Sequence, residues 1–173
     1  MDIIKYFNID TSPLRLVDDN GHCYTILGKN RNRFGAQALE FIQHEKWFDG
    51  YIRMHYGKGV EDVIELYFIE FAPNKKCPFP GAWVISGDCP NTYLDIVNFK
   101  TCEQALMGYC RHLEFWLYKF RNKLPLLNTF PHFYPGTRRQ VRPDEQYFDY
   151  IESVISMIRS NLSQGSYSGM AYF

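Results

Sequence analysis

The spacing of apolar and polar positions changes period once along the chain, near residue 100. Before that point the apolar residues alternate. "LRLVDDNGHCYTIL" consists of two alternating runs around Asp19-Asn20-Gly21 and predicts a β-hairpin, since Asn-Gly supplies the positive φ angles of a tight reversal. "GKNRNRFG" reads as the loop after it. Three strands are then expected, over residues 36–43, 47–56 and 63–71. Alternation in the second places Tyr51, Arg53 and His55 on one face and Ile52, Met54 and Tyr56 on the other. "YGKGVED" reads as the turn between the last two strands. "VIELYFIEF" is apolar on nearly both faces, as a covered central strand requires. "AWVIS" and "TYLDIVNF" extend the sheet.

After residue 100 the period becomes helical. Over 101–122 the apolar positions are Leu106, Tyr109, Cys110, Leu113, Trp116, Leu117 and Phe120. Thr101 with Gln104 fits a capping box, in which a hydroxyl and an amide satisfy N–H groups of the first turn. Leu124-Pro125 ends this helix. Four prolines in "LPLLNTFPHFYPGTRRQVRP" rule out a continuous helix or central strand there. Pro143 opens a second helix over 143–164 with the stripe Tyr147, Phe148, Ile151, Val154, Ile155, Ile158 and Leu162, and Gly165 closes it. Asp144 and Glu145 in its first turn suit the helix dipole. The expected fold class is α+β. An antiparallel sheet from a β-rich region, residues 14–99, is covered on one face by two C-terminal amphipathic helices, all within one domain spanning 1–173.

Composition sharpens this picture. The 173 residues are 46% hydrophobic and 17% aromatic, enough to fill a substantial core. Nineteen basic residues balance nineteen acidic ones, so net charge gives no sign of a polyanionic partner. Locally the balance breaks. Residues 40–70 hold seven acids against three bases, and residues 111–142 hold seven bases against the single acid Glu114. The N-terminal "MDIIKYFNID" lacks the basic and apolar regions of a signal peptide, and no stretch reaches the roughly 20 apolar residues of a membrane span. With the odd count of five cysteines, this sets the expectation of a cytoplasmic protein with reduced thiols.

Most signatures of chemistry fail on spacing. "KCPFPGAWVISGDCP" carries Cys77 and Cys89, twelve positions apart, whereas a zinc knuckle pairs its ligands within one turn. No Cys-x-x-Cys redox pair occurs. The stretch reads instead as a short strand, 82–86, delimited by prolines and glycines, with its cysteines packed as small hydrophobes. His112-Leu113-Glu114 matches H-x-E of the zinc deaminases but lacks the downstream P-C-x-x-C. Glycine-rich phosphate loops and the G-x-S-x-G nucleophile elbow are also missing. The expectation is therefore a protein with no metal, no cofactor and no catalytic residues, although an enzyme whose site is dispersed along the chain would escape such a search.

Two surfaces remain. "FPHFYPGTRRQVR" offers the rings Phe130, Phe133 and Tyr134 with Arg138, Arg139 and Arg142, and "GKNRNR" adds Lys29, Arg31 and Arg33; together they form a candidate nucleic-acid contact. The other surface is acidic. The β-rich run "RFGAQALEFIQHEKWFDGYIRMHYGKGVEDVIELYFIEF", followed by the late helices, resembles the immunity proteins of bacterial polymorphic-toxin and contact-dependent growth-inhibition systems. These are small cytoplasmic α+β or α proteins that bind one cognate toxin domain. The resemblance implies a non-catalytic binding module that neutralises a toxin, often a nuclease, by covering its active site; it assigns no individual residue a role. Glu61, Asp62, Glu65 and Glu70 are the expected contact, since carboxylates mimic the phosphates a nuclease site accepts. The alternative is a nucleic-acid-binding protein using the 130–142 segment.

Overall fold

The computed structural model describes residues 3–10, 12, 14–17, 32–60, 62–77, 79–125 and 144–165. Their elements run in the order α1 (Ile3–Phe7), β1 (Arg15–Val17), α2 (Asn32–Gln43), β2 (Tyr51–Val60), β3 (Ile64–Phe71), β4 (Gly81–Gly87), β5 (Thr92–Asp95), α3 (Cys102–Arg121) and α4 (Glu145–Gly165). The strands form one antiparallel sheet in the order β1-β2-β3-β4-β5. The α+β class expected from the periodicity is what the structure has.

Both faces of the sheet are covered. In β3 and β4 successive side chains point to opposite sides, and each side is apolar. Ile64, Leu66, Phe68, Trp83 and Ile85 share one cluster with the inner stripes of α3 and α4. Tyr67, Ile69, Phe71, Ala82 and Val84 share a second with Phe34, Ala38, Leu39 and Ile42 of α2. All eight residues of β3 and all seven of β4 are buried. This explains the near-continuous apolar runs of these strands.

α2 corrects the sequence reading. Residues 36–43, expected as a strand, are helical, and so is the Asn32–Gly35 end of the expected loop. Phe34, Ala38 and Ile42 recur every fourth residue and face the sheet, which period-2 alternation cannot produce. The expected 14–27 hairpin lies mostly outside the described residues; its first run provides β1, which pairs with β2.

β2 also departs from simple alternation. Tyr51 pairs with Phe71 while Arg53 pairs with Glu70, so two steps on β2 match one on β3. This bulge at Ile52 turns Tyr51 into the α2-side cluster alongside Tyr56, and away from the face that Arg53 and His55 share. A second register shift lies between Tyr56 and Gly59, inside the segment expected to be the turn. β2 therefore continues to Val60 and reverses only there. A Cβ on Gly59 would stand 2.2 Å from the carbonyl oxygen of Ile64, so this close approach admits only glycine.

The start of α3 follows its sequence signal, whereas α4 begins at Glu145 with Asp144 just before it, and Pro143, expected to open it, lies outside the described residues. Thr101 is the N-cap of α3, and its Oγ1 accepts from the Gln104 N–H at 3.1 Å. Gln104 Oε1 reaches one residue further back than the standard box, accepting from the Lys100 N–H at 2.7 Å. At α4, Asp144 Oδ1 accepts from the Tyr147 N–H at 2.8 Å. Among the described residues no helix is long and apolar enough to cross a membrane.

Candidate functional site

The acidic edge expected from the sequence does not assemble. Glu65 and Glu70 are only 2% and 1% exposed. β3 is the middle strand of a sheet covered on both sides, so its carboxylates must find partners inside the protein. Glu65 Oε2 accepts a hydrogen bond from the Tyr67 hydroxyl on the α2 side. Glu70 lies on the opposite face, where Oε1 is 3.0 Å from His55 Nε2 and Oε2 is 3.0 Å from Arg53 Nη2. These two carboxylates therefore cannot meet a partner's basic site in this fold. Asp62 is exposed, in the β2–β3 turn, with φ at +58°. Glu61 lies outside the described residues, as do Arg138, Arg139 and Arg142, the rings Phe130, Phe133 and Tyr134, and Lys29 and Arg31. The side chain of Arg33 is likewise outside them.

Four of the five cysteines are among the described residues, and Cys23 lies outside them. Cys77, Cys89, Cys102 and Cys110 are free thiols, and all but Cys77 are buried. Burial pushes Cys89 and Cys102 up to about 12 and Cys110 up to about 11, which removes thiolate chemistry at neutral pH. Among the described residues no three His, Cys, Asp or Glu side chains are grouped so as to hold a metal ion.

Two arrangements of side chains lead from the core to the surface. The first is the Glu70–His55–Arg53 cluster. Side-chain exposure rises along it, from 2% at Glu70 through 13% at His55 to 50% at Arg53. A buried anion thus supports two groups that lead out to solvent. The His55 ring lies 5.9 Å from the Phe68 ring, and across the sheet Leu16 on β1 pairs with His55.

The second is the outer face of α3. Phe115 and Tyr118, one turn apart, are 51% and 58% exposed. Arg111 and Asn122 are exposed on the same face, directly opposite the stripe Leu106, Leu113 and Leu117 that packs on the sheet. Lys119 Nζ stands 4.9 Å from the centre of the Phe115 ring. The helix carrying these rings is fixed from below by its core stripe and from the side by two ion pairs to α4, Glu114–Arg159 at 2.6 Å and Arg121–Glu152 at 2.7 Å. The sequence held a signal for this face: Phe115 and Tyr118 are large aromatics that fall outside the helix's apolar stripe. The cluster at Glu70 was less legible, because the bulge at Ile52 sets which β2 residues meet the carboxylate.

Comparison with protein-family models, with curated proteins and with solved structures finds no match to this chain.

Proposed function

We propose that this protein is a non-catalytic protein-binding module of the immunity type, which neutralises a toxin domain by covering that domain's active site. The observation that carries the reading is the outer face of α3, where Phe115 and Tyr118 stand exposed on a helix whose opposite stripe is buried in the core. Exposed aromatics beside arginine are the usual anchors of protein interfaces, since they bury large area at small entropic cost. The sequence resemblance supplies the partner class, and the face supplies its chemistry. Arg111 and Lys119 flank the rings, so the complementary surface is apolar at its centre and acidic at its rim. This replaces the acidic edge as the contact, because Glu65 and Glu70 already serve internal partners.

The test is affinity capture of the tagged chain from its native host in low and high salt, alongside a Phe115→Ser/Tyr118→Ser variant. The reading expects one stoichiometric protein partner that persists in high salt and is lost with the double substitution. A partner retained equally by the variant would remove α3 from the interface. Nucleic acid that elutes as salt rises would instead favour the alternative through Arg138, Arg139 and Arg142.

A further inference from the structure

The outer face of α3 has a spacing of its own. Arg111, Phe115, Tyr118 and Asn122 follow one another at intervals of four, three and four positions. These are the intervals of a heptad seam, with Phe115 and Asn122 at a and Arg111 and Tyr118 at d. The core stripe lies on the opposite side, so this seam faces outward, and its two rings are 51% and 58% exposed. Glu114 and Lys119 flank the seam on opposite sides, at g and e. In a parallel helix pair the g side chain of one helix meets the following e side chain of the other, five positions on. Glu114 and Lys119 have that separation. The face is therefore complementary to itself. With two copies of α3 parallel, each ring meets its own counterpart and each Glu114 meets the other copy's Lys119. An antiparallel pair sets e against e and g against g. Lys119 then falls beside His112, and Glu114 beside Arg121, which Glu152 already holds at 2.7 Å. Contacts within the chain keep both charges next to the seam: Glu114 Oε1 lies 2.6 Å from Arg159, and Lys119 Nζ is 4.9 Å from the centre of the Phe115 ring. The seam is short. At Arg111 like charges meet across it, and α3 ends at Arg121.

We propose that, without its partner, the protein pairs with a second copy of itself through this face, α3 parallel to α3 about a two-fold axis, and that the second copy and the partner compete for the same rings. The inference rests on the reading of the α3 face as a contact surface and adds its regulation. Two rings from each copy and two ion pairs bury far less than the roughly 1,200 Å² of a standard interface, so the self-contact is weak and gives way to a larger one. Pairing covers Phe115 and Tyr118 while the protein is alone, which limits unspecific contact by an exposed aromatic patch.

The test is sedimentation of the purified full chain in low salt, over a wide range of protein concentration. The proposal expects a reversible equilibrium between monomer and dimer. Glu114→Lys and Lys119→Glu should each weaken the dimer by about tenfold, because like charges then face each other twice. Mixing these two variants should restore it, since every introduced charge then meets its opposite on the other copy. Phe115→Ser/Tyr118→Ser should abolish it. Thermal melts of each variant confirm that the comparison is between folded proteins. A chain that stays monomeric at the highest concentration would overturn the proposal. So would a dimer that the charge variants leave unchanged, or one that their mixture fails to restore. Competition is read by capture through one of two differently tagged copies: the partner should come down without the second copy, and recovery of all three together would rule competition out. Sedimentation needs no partner, so the two readings fail separately. A monomeric chain whose partner is still lost with the ring variant removes the self-contact and leaves the α3 contact standing.

Discussion

Gly108 of α3 lies against the ring of Phe99: a Cβ on the glycine would stand 2.3 Å from Cε1 of that ring and 2.6 Å from Cζ. The Phe99 backbone is held by its carbonyl, which accepts the indole N–H of the fully buried Trp83 at 2.9 Å, and its ring packs against the α3-side core. In an open helix Gly→Ala gains about 1 kcal/mol. Here the sign should reverse, with Gly108→Ala destabilising by about 1–3 kcal/mol through overpacking. Urea denaturation measures this directly. Adding Phe99→Leu should recover part of the loss, and a more stable single variant would show that the ring moves aside freely.

The Glu70 ion pairs predict an asymmetry between the partners. Glu70→Ala removes the acceptor shared by His55 and Arg53 and leaves a gap in a buried strand, with an expected loss of about 1–3 kcal/mol. Arg53→Gln removes a half-exposed cation whose amide replacement still offers a donor to Glu70, so its cost should stay near 1 kcal/mol. Chemical denaturation of both variants checks the order. Equal costs would mean that solvent reaches Glu70 far more than its 1% exposure indicates.

Much of this fold was legible in the sequence, and the failures share a cause. The strands β3 and β4 and the helices α3 and α4 were readable because each carries one uninterrupted period, and Thr101 and Gln104 marked the start of α3 in advance. α2 was misread because its repeat begins at Phe34, inside a segment whose charges and glycine suggested a loop. Starting at Ala36 leaves too few turns to separate helix from strand. Glu65 and Glu70 were misplaced for a different reason. A carboxylate in an apolar strand reads as surface until its donors are known. Those donors are Tyr67, two residues along, and a pair on β2 whose register depends on a bulge. Local pattern does not encode that pairing.

The buried acids set the alkaline limit of the protein. Folding raises Cys89 and Cys102 from an ordinary 9.0 to about 12 and Cys110 to about 11, while Tyr150 rises from 10.0 to about 12. Desolvation of the charged form is the main cause in each case. The folded state therefore holds protons that the unfolded state has released. This stability is fully present below about pH 9 and is lost progressively as pH rises toward 12. Melting temperature should fall steeply above pH 9, and a flat profile to pH 11 would contradict the burial of these groups. With a thiol reagent at pH 8, Cys77, which is only partly buried, should react before Cys89, Cys102 and Cys110, whose modification should wait for unfolding.

The outer face of α3 allows a separation of binding from stability. Phe115, Trp116 and Tyr118 sit within four positions of one helix, yet Trp116 is 3% exposed and its two neighbours are more than half exposed. Trp116 contacts Phe148 and Tyr147 across the α3–α4 seam, with ring centres 5.1 and 6.0 Å away. Trp116→Ala should cost about 3–5 kcal/mol. Phe115→Ser and Tyr118→Ser should each fall within about 0.5 kcal/mol of the parent, because serine loses little where water already covers the ring. Thermal melts of the three variants supply the comparison. If the two serine variants melt with the parent but fail to hold the captured partner, the rings are there for binding. If they unfold as Trp116→Ala does, the rings are structural, and the proposed contact must be sought on another face.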